Sequence, residues 1–401
     1  MNKIELLAPA GDLERLKTAI LFGADAVFIG GKQFSLRSRA SNFDLATIQE
    51  AVNFAHQHNS RVHVTVNMIP HQDDLEGLDE YLIALDAIGV DAIIVASVYI
   101  LKRAKALTKN FEIHISTQYS ITNSKTIQFY KKLGADRVVL ARENSLSELK
   151  LLKEHSSLPL EVFIHGGMCV NYSGRCTLSN YMTLRDANRG GCAQSCRWNY
   201  EIFDQKTTIS DEKVLFSMSS KDLNAIDVLP DLIKMGIASL KIEGRMKTEY
   251  YIATIVSAYR RAIDDLYKGS LTSDAVVLAA KRELLNAENR ETFSGFYLSQ
   301  PNRSGHLYGV NGANVNQNFV AKVLNYDATT NLATLEIRNH FSKGDRLEVF
   351  GPTLKPTSFV SQKMINSDNE ITHRFFKPME VVLLEVPFVV NEGDFVRKSL
   401  L

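Results

Sequence analysis

The four cysteines of the chain, Cys169, Cys176, Cys192 and Cys196, fall within one stretch of twenty-eight residues with the spacing C-x6-C-x15-C-x3-C. Chance scattering explains this poorly. Four thiolates brought together suit a tetrahedral zinc or an iron–sulfur cluster, whereas stable disulfides are disfavoured in a reducing cytosol. Structural zinc sites usually pair cysteines as C-x2-4-C, and only the second pair here comes near that spacing. This favours an iron–sulfur cluster and leaves zinc as the alternative. The same segment carries Arg175, Arg185, Arg189 and Arg197 against a single acid, Asp186. Guanidinium groups either offset thiolate charge or grip carboxylates and phosphates through forked hydrogen bonds. At least one of them, with Arg175 and Arg189 as candidates, is expected to face substrate.

A second constellation is Ser239-Leu-Lys-Ile-Glu-Gly-Arg-Met-Lys, which brings Lys241, Glu243, Arg245 and Lys247 to the end of an apolar run. Alternation along a strand points Lys241 and Glu243 to the same side. Facing inward, they would compensate one another and have pKa values shifted toward proton transfer; the structural alternative is a salt bridge plugging the interior. Other strand ends also carry polar groups: Asn67, Ser116 with Thr117 and Gln118, Arg142, and His165. His165 reads as a proton donor, an orienting group, a ligand or a satisfied structural histidine. Arg37 and Arg39 lie in a Ser-rich loop suited to gripping an anionic ligand or a nucleic-acid backbone, the alternative being a solvated loop.

The elements that must position these residues follow from periodicity. Eight short apolar runs, Ile4–Ala8, Ala26–Gly30, Val62–Val66, Ala92–Val95, Glu112–Ser116, Arg137–Leu140, Glu161–His165 and Ser239–Glu243, alternate with segments of helical period. That pattern predicts an α/β fold, a (β/α)8 TIM-like barrel, with an open doubly wound sheet as the alternative. The cysteine-rich insertion follows strand 7 at its C-terminal end, the catalytic face of such a barrel. Val214–Met218 is expected to pair with Tyr200–Phe203 as a local hairpin. Gly-Ala-Asp at Gly23–Asp25 and Gly134–Asp136 marks helix ends. Beyond Gly269 comes a helical linker, then alternating strands and glycine turns that suggest a small C-terminal β-barrel. The expected divisions are 1–270, 271–304 and 305–401, with the cysteine cluster at 165–197.

Composition limits the partners. Hydrophobic residues are 45% and charged residues 23%, with a formal net charge of +1, so a nucleic acid would have to be held by a local basic patch. Apolar runs are too short to span a bilayer, and the N-terminus lacks a signal-like pattern. A cytoplasmic location and no membrane contact are expected.

Glu5-Leu-Leu-Ala-Pro-Ala-Gly, Ser116-Thr-Gln with Asn123, the cysteine segment, Phe216-Ser-Met with Lys221-Asp-Leu, and Leu240-Lys-Ile-Glu-Gly-Arg-Met-Lys together resemble the U32 peptidase-like (collagenase-like protease) family. That family is associated with prephenate-dependent hydroxylation, and within it this chain is most similar to the tRNA hydroxylation proteins. The resemblance implies a [4Fe-4S] cluster on the four cysteines, prephenate as oxygen donor, and conversion of the wobble uridine in the tRNA anticodon region to 5-hydroxyuridine. Lys241, Glu243, Arg245 and His165 are then the expected catalytic residues. Arg37, Arg39, Asn67, Gln118, Arg142, Arg175 and Arg189 are the expected substrate-binding set. A second copy or a related family member is an expected partner. One departure is Ala96-Ser97-Val98-Tyr99, where many relatives carry Asp-Pro-Gly. Two other readings stay open: a peptidase, though neither H-E-x-x-H nor G-x-S-x-G occurs, and a zinc-stabilised RNA-binding protein without catalysis.

Overall fold

Strands buried on both faces read as continuous apolar runs, and the chain uses eight of them to close a sheet on itself. The computed structural model describes residues 3–36, 42–210, 215–287, 290–307 and 318–399. The barrel strands are β1 (Glu5–Pro9), β2 (Ala26–Gly30), β3 (Arg61–Val66), β4 (Ala92–Val95), β5 (Glu112–Ile115), β6 (Arg137–Val139), β7 (Leu160–Gly166) and β8 (Ser239–Ile242). Neighbours pair in parallel in chain order, and β8 pairs with both β7 and β1, which closes the ring. The open-sheet alternative is thereby excluded.

Helices α1 (Leu13–Leu21), α2 (Leu45–Gln57), α3 (Leu78–Ile88), α4 (Val98–Leu107), α5 (Ser124–Lys132) and α6 (Leu146–His155) connect the first seven strands. Asp12, Asp44, Asn123 and Ser145 cap four of them through their side chains. Both Gly-Ala-Asp repeats mark the ends of helices, with Gly23 at φ 108° and Gly134 at φ 95°. The aspartates serve the sheet, for Asp25 and Asp136 accept the backbone N–H of Leu6 and Ile113 on the neighbouring strand, each at 2.8 Å. The repeat thus ends a helix and pins the register of the next strand pair.

Between β7 and β8 the chain makes a long excursion containing α7 (Leu178–Thr183) and α8 (Leu229–Lys234). Tyr200 pairs with Phe216 across an antiparallel bridge, as the expected hairpin requires, but Phe203–Asp204 turns back onto Thr207–Thr208 instead. Val214 lies outside the described residues. The excursion also adds a strand the periodicity did not reveal: Asp222–Asn224 runs antiparallel to the end of β7, and Thr292–Phe293 pairs with it. After β8 come α9 (Glu249–Lys268) and α10 (Ser273–Leu284).

The C-terminal residues form an antiparallel half-barrel with strand order Thr357–Val360, Arg346–Phe350, Phe395–Lys398, Phe319–Asp327, Leu332–Ile337, Val381–Glu385 and Met364–Ile365. It is docked on the barrel by Tyr250 of α9 stacking on Phe319 at 4.6 Å, with Phe22, Phe350 and Phe395 around them. Beside this cluster Arg397, 1% exposed, forks onto Glu283 of α10 at 2.8 and 3.0 Å and donates through Nε to Glu348 at 2.6 Å. No helix among the described residues is long and apolar enough to cross a membrane. Arg397→Ala strands two largely buried carboxylates and should cost about 3–5 kcal/mol, seen as a lowered urea midpoint; an unchanged midpoint would show that the pair contributes nothing.

Candidate active site at the barrel mouth

The C-terminal ends of the strands open into a cavity of about 620 Å³ roofed by the cysteine segment. Its floor is Phe28, Ile94, Phe163 and Lys241; its walls include Thr65, Asn67, Ser116, Gln118, Arg142, Glu243 and Arg245. All four cysteines line it from above, with Arg185, Arg197, Trp198 and Arg290.

Beneath the floor the barrel interior is charged. Lys241 donates to Glu161 of β7 at 2.8 Å, and Arg137 of β6 reaches the same carboxylate at 3.2 Å and Glu5 of β1 at 2.5 Å. Burial by itself raises the pKa of Glu161, yet Lys241 and then Arg137 hold it well below the carboxylate range. His63 and His114 pack beside it, their ring nitrogens and a Glu161 oxygen within 4.8 Å of one another. Both Glu161 oxygens are engaged by cations, so this trio is not arranged to take a further positive ion. Burial pushes the His63 imidazole down to about 3, and it is neutral at ordinary pH.

The roof is strapped to three different loops. Arg189 forks onto Asp74, beyond β3, at 3.0 and 2.7 Å. Ser173 donates through both its N–H and its hydroxyl to Glu143, beyond β6. Gly174 has φ +72°, and a Cβ there would lie 2.0 Å from the Gln118 carbonyl oxygen, so only glycine lets the segment lie on the β5 loop. Within the segment, Asn188 donates to the Cys176 carbonyl at 3.0 Å and Asn171 to the Cys176 sulfur at 3.1 Å.

The cysteines are unpaired thiols that sense one another. Burial, then the neighbouring Cys169, Cys192 and Cys176 working against Arg197, pushes the Cys196 thiol up to about 11. Four sulfurs lining one cavity form a donor set that suits an iron–sulfur cluster or a zinc ion.

Of the residues singled out from sequence, Asn67, Gln118, Arg142, Lys241, Glu243, Arg245 and the four cysteines share this cavity. Lys241 and Glu243 do not pair as expected, because Lys241 dips to Glu161 while Glu243 faces Arg142 at 4.0 Å. Arg142 lies over the Phe163 ring at 3.8 Å. Arg245 lines the wall but is 4% exposed, and it donates to Ser35, Thr65, the Leu36 carbonyl and Asn42. A Cβ on Gly30 would lie 2.3 Å from its guanidinium. Arg245 thus ties Ser35, Leu36 and Asn42 to Thr65 of β3. Asn67 likewise accepts from the Leu36 N–H at 3.1 Å.

Three expectations are corrected. His165 is not among the lining residues: it is 2% exposed, sits 3.3 Å from the Tyr259 hydroxyl of α9, and is held near pKa 3 by burial and then Lys247. A register shift between Lys241 and Ile242 in the β7–β8 pairing sets Ile242 opposite His165, and the imidazole packs against α9. Arg189 is spent on Asp74, and Arg175 points to Ser120 at 3.3 Å rather than into the cavity. Arg37 and Arg39 lie outside the described residues. Sequence reasoning missed Asp222, on the added strand, which faces Arg290 at 3.3 Å and Arg197 and Lys247 at 3.9 Å each. One carboxylate against three cations leaves the surroundings of the cysteines positive. The signal was the Lys221-Asp-Leu block, which carried no recognisable chemistry without its partners.

Known proteins share this sequence over its whole length. The model of peptidase family U32 matches residues 11–306, and that of the peptidase family U32 C-terminal domain matches residues 315–397. The chain is 42% identical to tRNA hydroxylation protein P1 of Bacillus subtilis, over 99% of this chain and 95% of that one. It is 32% identical to tRNA hydroxylation protein P of Escherichia coli, over 92% and 91%. A protein named collagenase from Porphyromonas gingivalis is 30% identical, over 91% and 90%.

The two buried neutral histidines make stability depend on pH. Their folded pKa values lie below the unfolded value of about 6.5, so from about 6.5 down to about 3 the unfolded chain binds more protons. Stability is therefore lost as pH falls through that window, by roughly 2 kcal/mol per histidine between pH 7 and pH 5. Denaturation midpoints measured across this range should show the slope, and His165→Phe should flatten it; an unchanged slope would contradict the assignment.

Proposed function

Because the chain belongs to peptidase family U32, matched over both of the family's models, we propose that it hydroxylates tRNA, converting the wobble uridine to 5-hydroxyuridine with prephenate as oxygen donor. The observation that carries this reading is the full-length similarity to tRNA hydroxylation protein P1, joined to a cysteine-roofed, arginine-lined cavity. Cys169, Cys176, Cys192 and Cys196 would hold a [4Fe-4S] cluster, which when bound supplies Lewis-acid or electron-transfer chemistry beside the cavity.

The chain's own residues account for binding and proton handling. Phe28, Ile94 and Phe163 give apolar surface on which a base that has left its stack could rest, and an anticodon loop surrenders a base at low cost. Arg142, already stacked on Phe163, and Arg185 and Arg197 in the roof present cationic groups to a dicarboxylate donor. Glu243, a carboxylate on the cavity wall facing Arg142, would hold or accept a proton beside a bound base. Lys241 keeps the floor cationic while tethered to Glu161.

The peptidase reading draws on the names of the family and of relatives such as the collagenase, and the sequence carries neither H-E-x-x-H nor G-x-S-x-G. As cluster ligands the four cysteines would not be free to attack a peptide.

Mass spectrometry of tRNA nucleosides from a strain lacking this protein should show loss of 5-hydroxyuridine and its derivatives, restored by the parent gene and not by Cys192→Ser. Unchanged levels in a strain with no second homologue would sink the proposal. Arg142→Ala should raise the KM for the donor roughly 10–100-fold, the value of a charge-assisted carboxylate contact; an unaltered KM would remove Arg142 from donor binding.

A further inference from the structure

Leu184 is doubly out of place. It ends α7 in the left-handed region, φ 56°, where a branched aliphatic residue is strained and glycine or asparagine is usual. Its side chain is also 95% exposed. Beside it Tyr181 is 84% and Met182 44% exposed, while the buried residue of the helix is the small Ser179. The tip is nevertheless fixed. The Leu184 N–H donates to the Asn180 carbonyl at 2.9 Å, Ser179 accepts from the Ala193 N–H at 3.0 Å, and Asp186 caps the following turn through Asn188 at 2.8 Å. A rigid loop thus holds an apolar point out in water.

Its surroundings say what it meets. Arg185, the next residue, lines the cavity, as do Tyr172, 53% exposed, and Trp198, 41% exposed. The chain therefore passes from an apolar tip, through exposed aromatic faces, to guanidinium groups at the mouth. Arg185 and Arg197 both line the cavity, which makes its rim a cationic surface suited to a polyanion. Aromatic rings interleaved with arginine suit unpaired bases and their phosphates, and an apolar wedge is how proteins part stacked bases.

We propose that the α7 tip is a base-separating wedge for the anticodon loop: Leu184 enters the stack vacated by the flipped base and Tyr181 stacks on an adjoining one. This rests on the tRNA reading above, and it assigns the α7 tip a role that the cavity residues do not cover.

The test titrates the full-length protein with a synthetic anticodon stem-loop carrying 2-aminopurine next to the wobble position. Binding is read by anisotropy and unstacking by 2-aminopurine fluorescence. Tyr181→Ala should weaken binding about ten-fold, the size of one lost base stack. Leu184→Asn, which suits the left-handed backbone and so preserves the fold, should remove most of the fluorescence rise seen with the parent. If the parent binds and brightens the probe and both variants match it, the wedge falls and the tRNA reading stands. If the parent binds neither the stem-loop nor intact tRNA, the tRNA reading falls and the wedge with it. A change confined to self-association on a sizing column, with RNA binding intact, would mark the tip as a protein contact and overturn the proposal.

Discussion

Glu161 is the group on which barrel and mouth both depend. A carboxylate with no exposed surface persists inside a protein only if cations meet it, and here two do, from the strands on either side: Arg137 of β6 and Lys241 of β8. The pair across β7 and β8 lies on the seam that closes the barrel. It also decides what the cavity floor is made of, because Lys241 is drawn down to Glu161 and Glu243 is left facing Arg142 above it. An apolar interior would close the barrel equally well; the charged one leaves a cation under Phe163 and Phe28.

The cysteine segment leaves from the end of β7 and is held down by the loops after β3, β5 and β6. Its roof over the cavity therefore depends on the whole ring rather than on its own thirty or so residues. The arginines divide accordingly. Arg189 and Arg245 spend their donors on holding loops together, and Arg290 on Asp222, Ser219 and the Ser220 carbonyl. Arg142, Arg185 and Arg197 line the chamber and give it the positive character that a dicarboxylate or a phosphate would meet.

Much of this was legible in the residue order. Short apolar runs and helix-ending glycines defined the eight barrel strands to within a residue or two, because each strand is buried on both faces and shows it in composition. The cysteines were legible as a set because nothing else in the chain competes with them. What escaped was everything decided by partners distant in sequence. Lys241 and Glu243 share a strand face, but the choice of Glu161 over Glu243 is made across the seam. His165 ends a strand at the catalytic face and still turns to Tyr259, because one register shift in the β7–β8 pairing breaks the alternation. Asp222 could not be recognised as a hub for three cations before the strand that carries it was known to lie beside β7.

Everything proposed for the mouth turns on whether the four cysteines above it hold an iron–sulfur cluster. Iron, acid-labile sulfide and zinc should be measured on the full-length protein purified without oxygen, together with its visible absorption. About four iron and four sulfide per chain are expected, with a broad visible band lost in Cys192→Ser. One zinc per chain, with neither iron nor sulfide, would contradict the cluster.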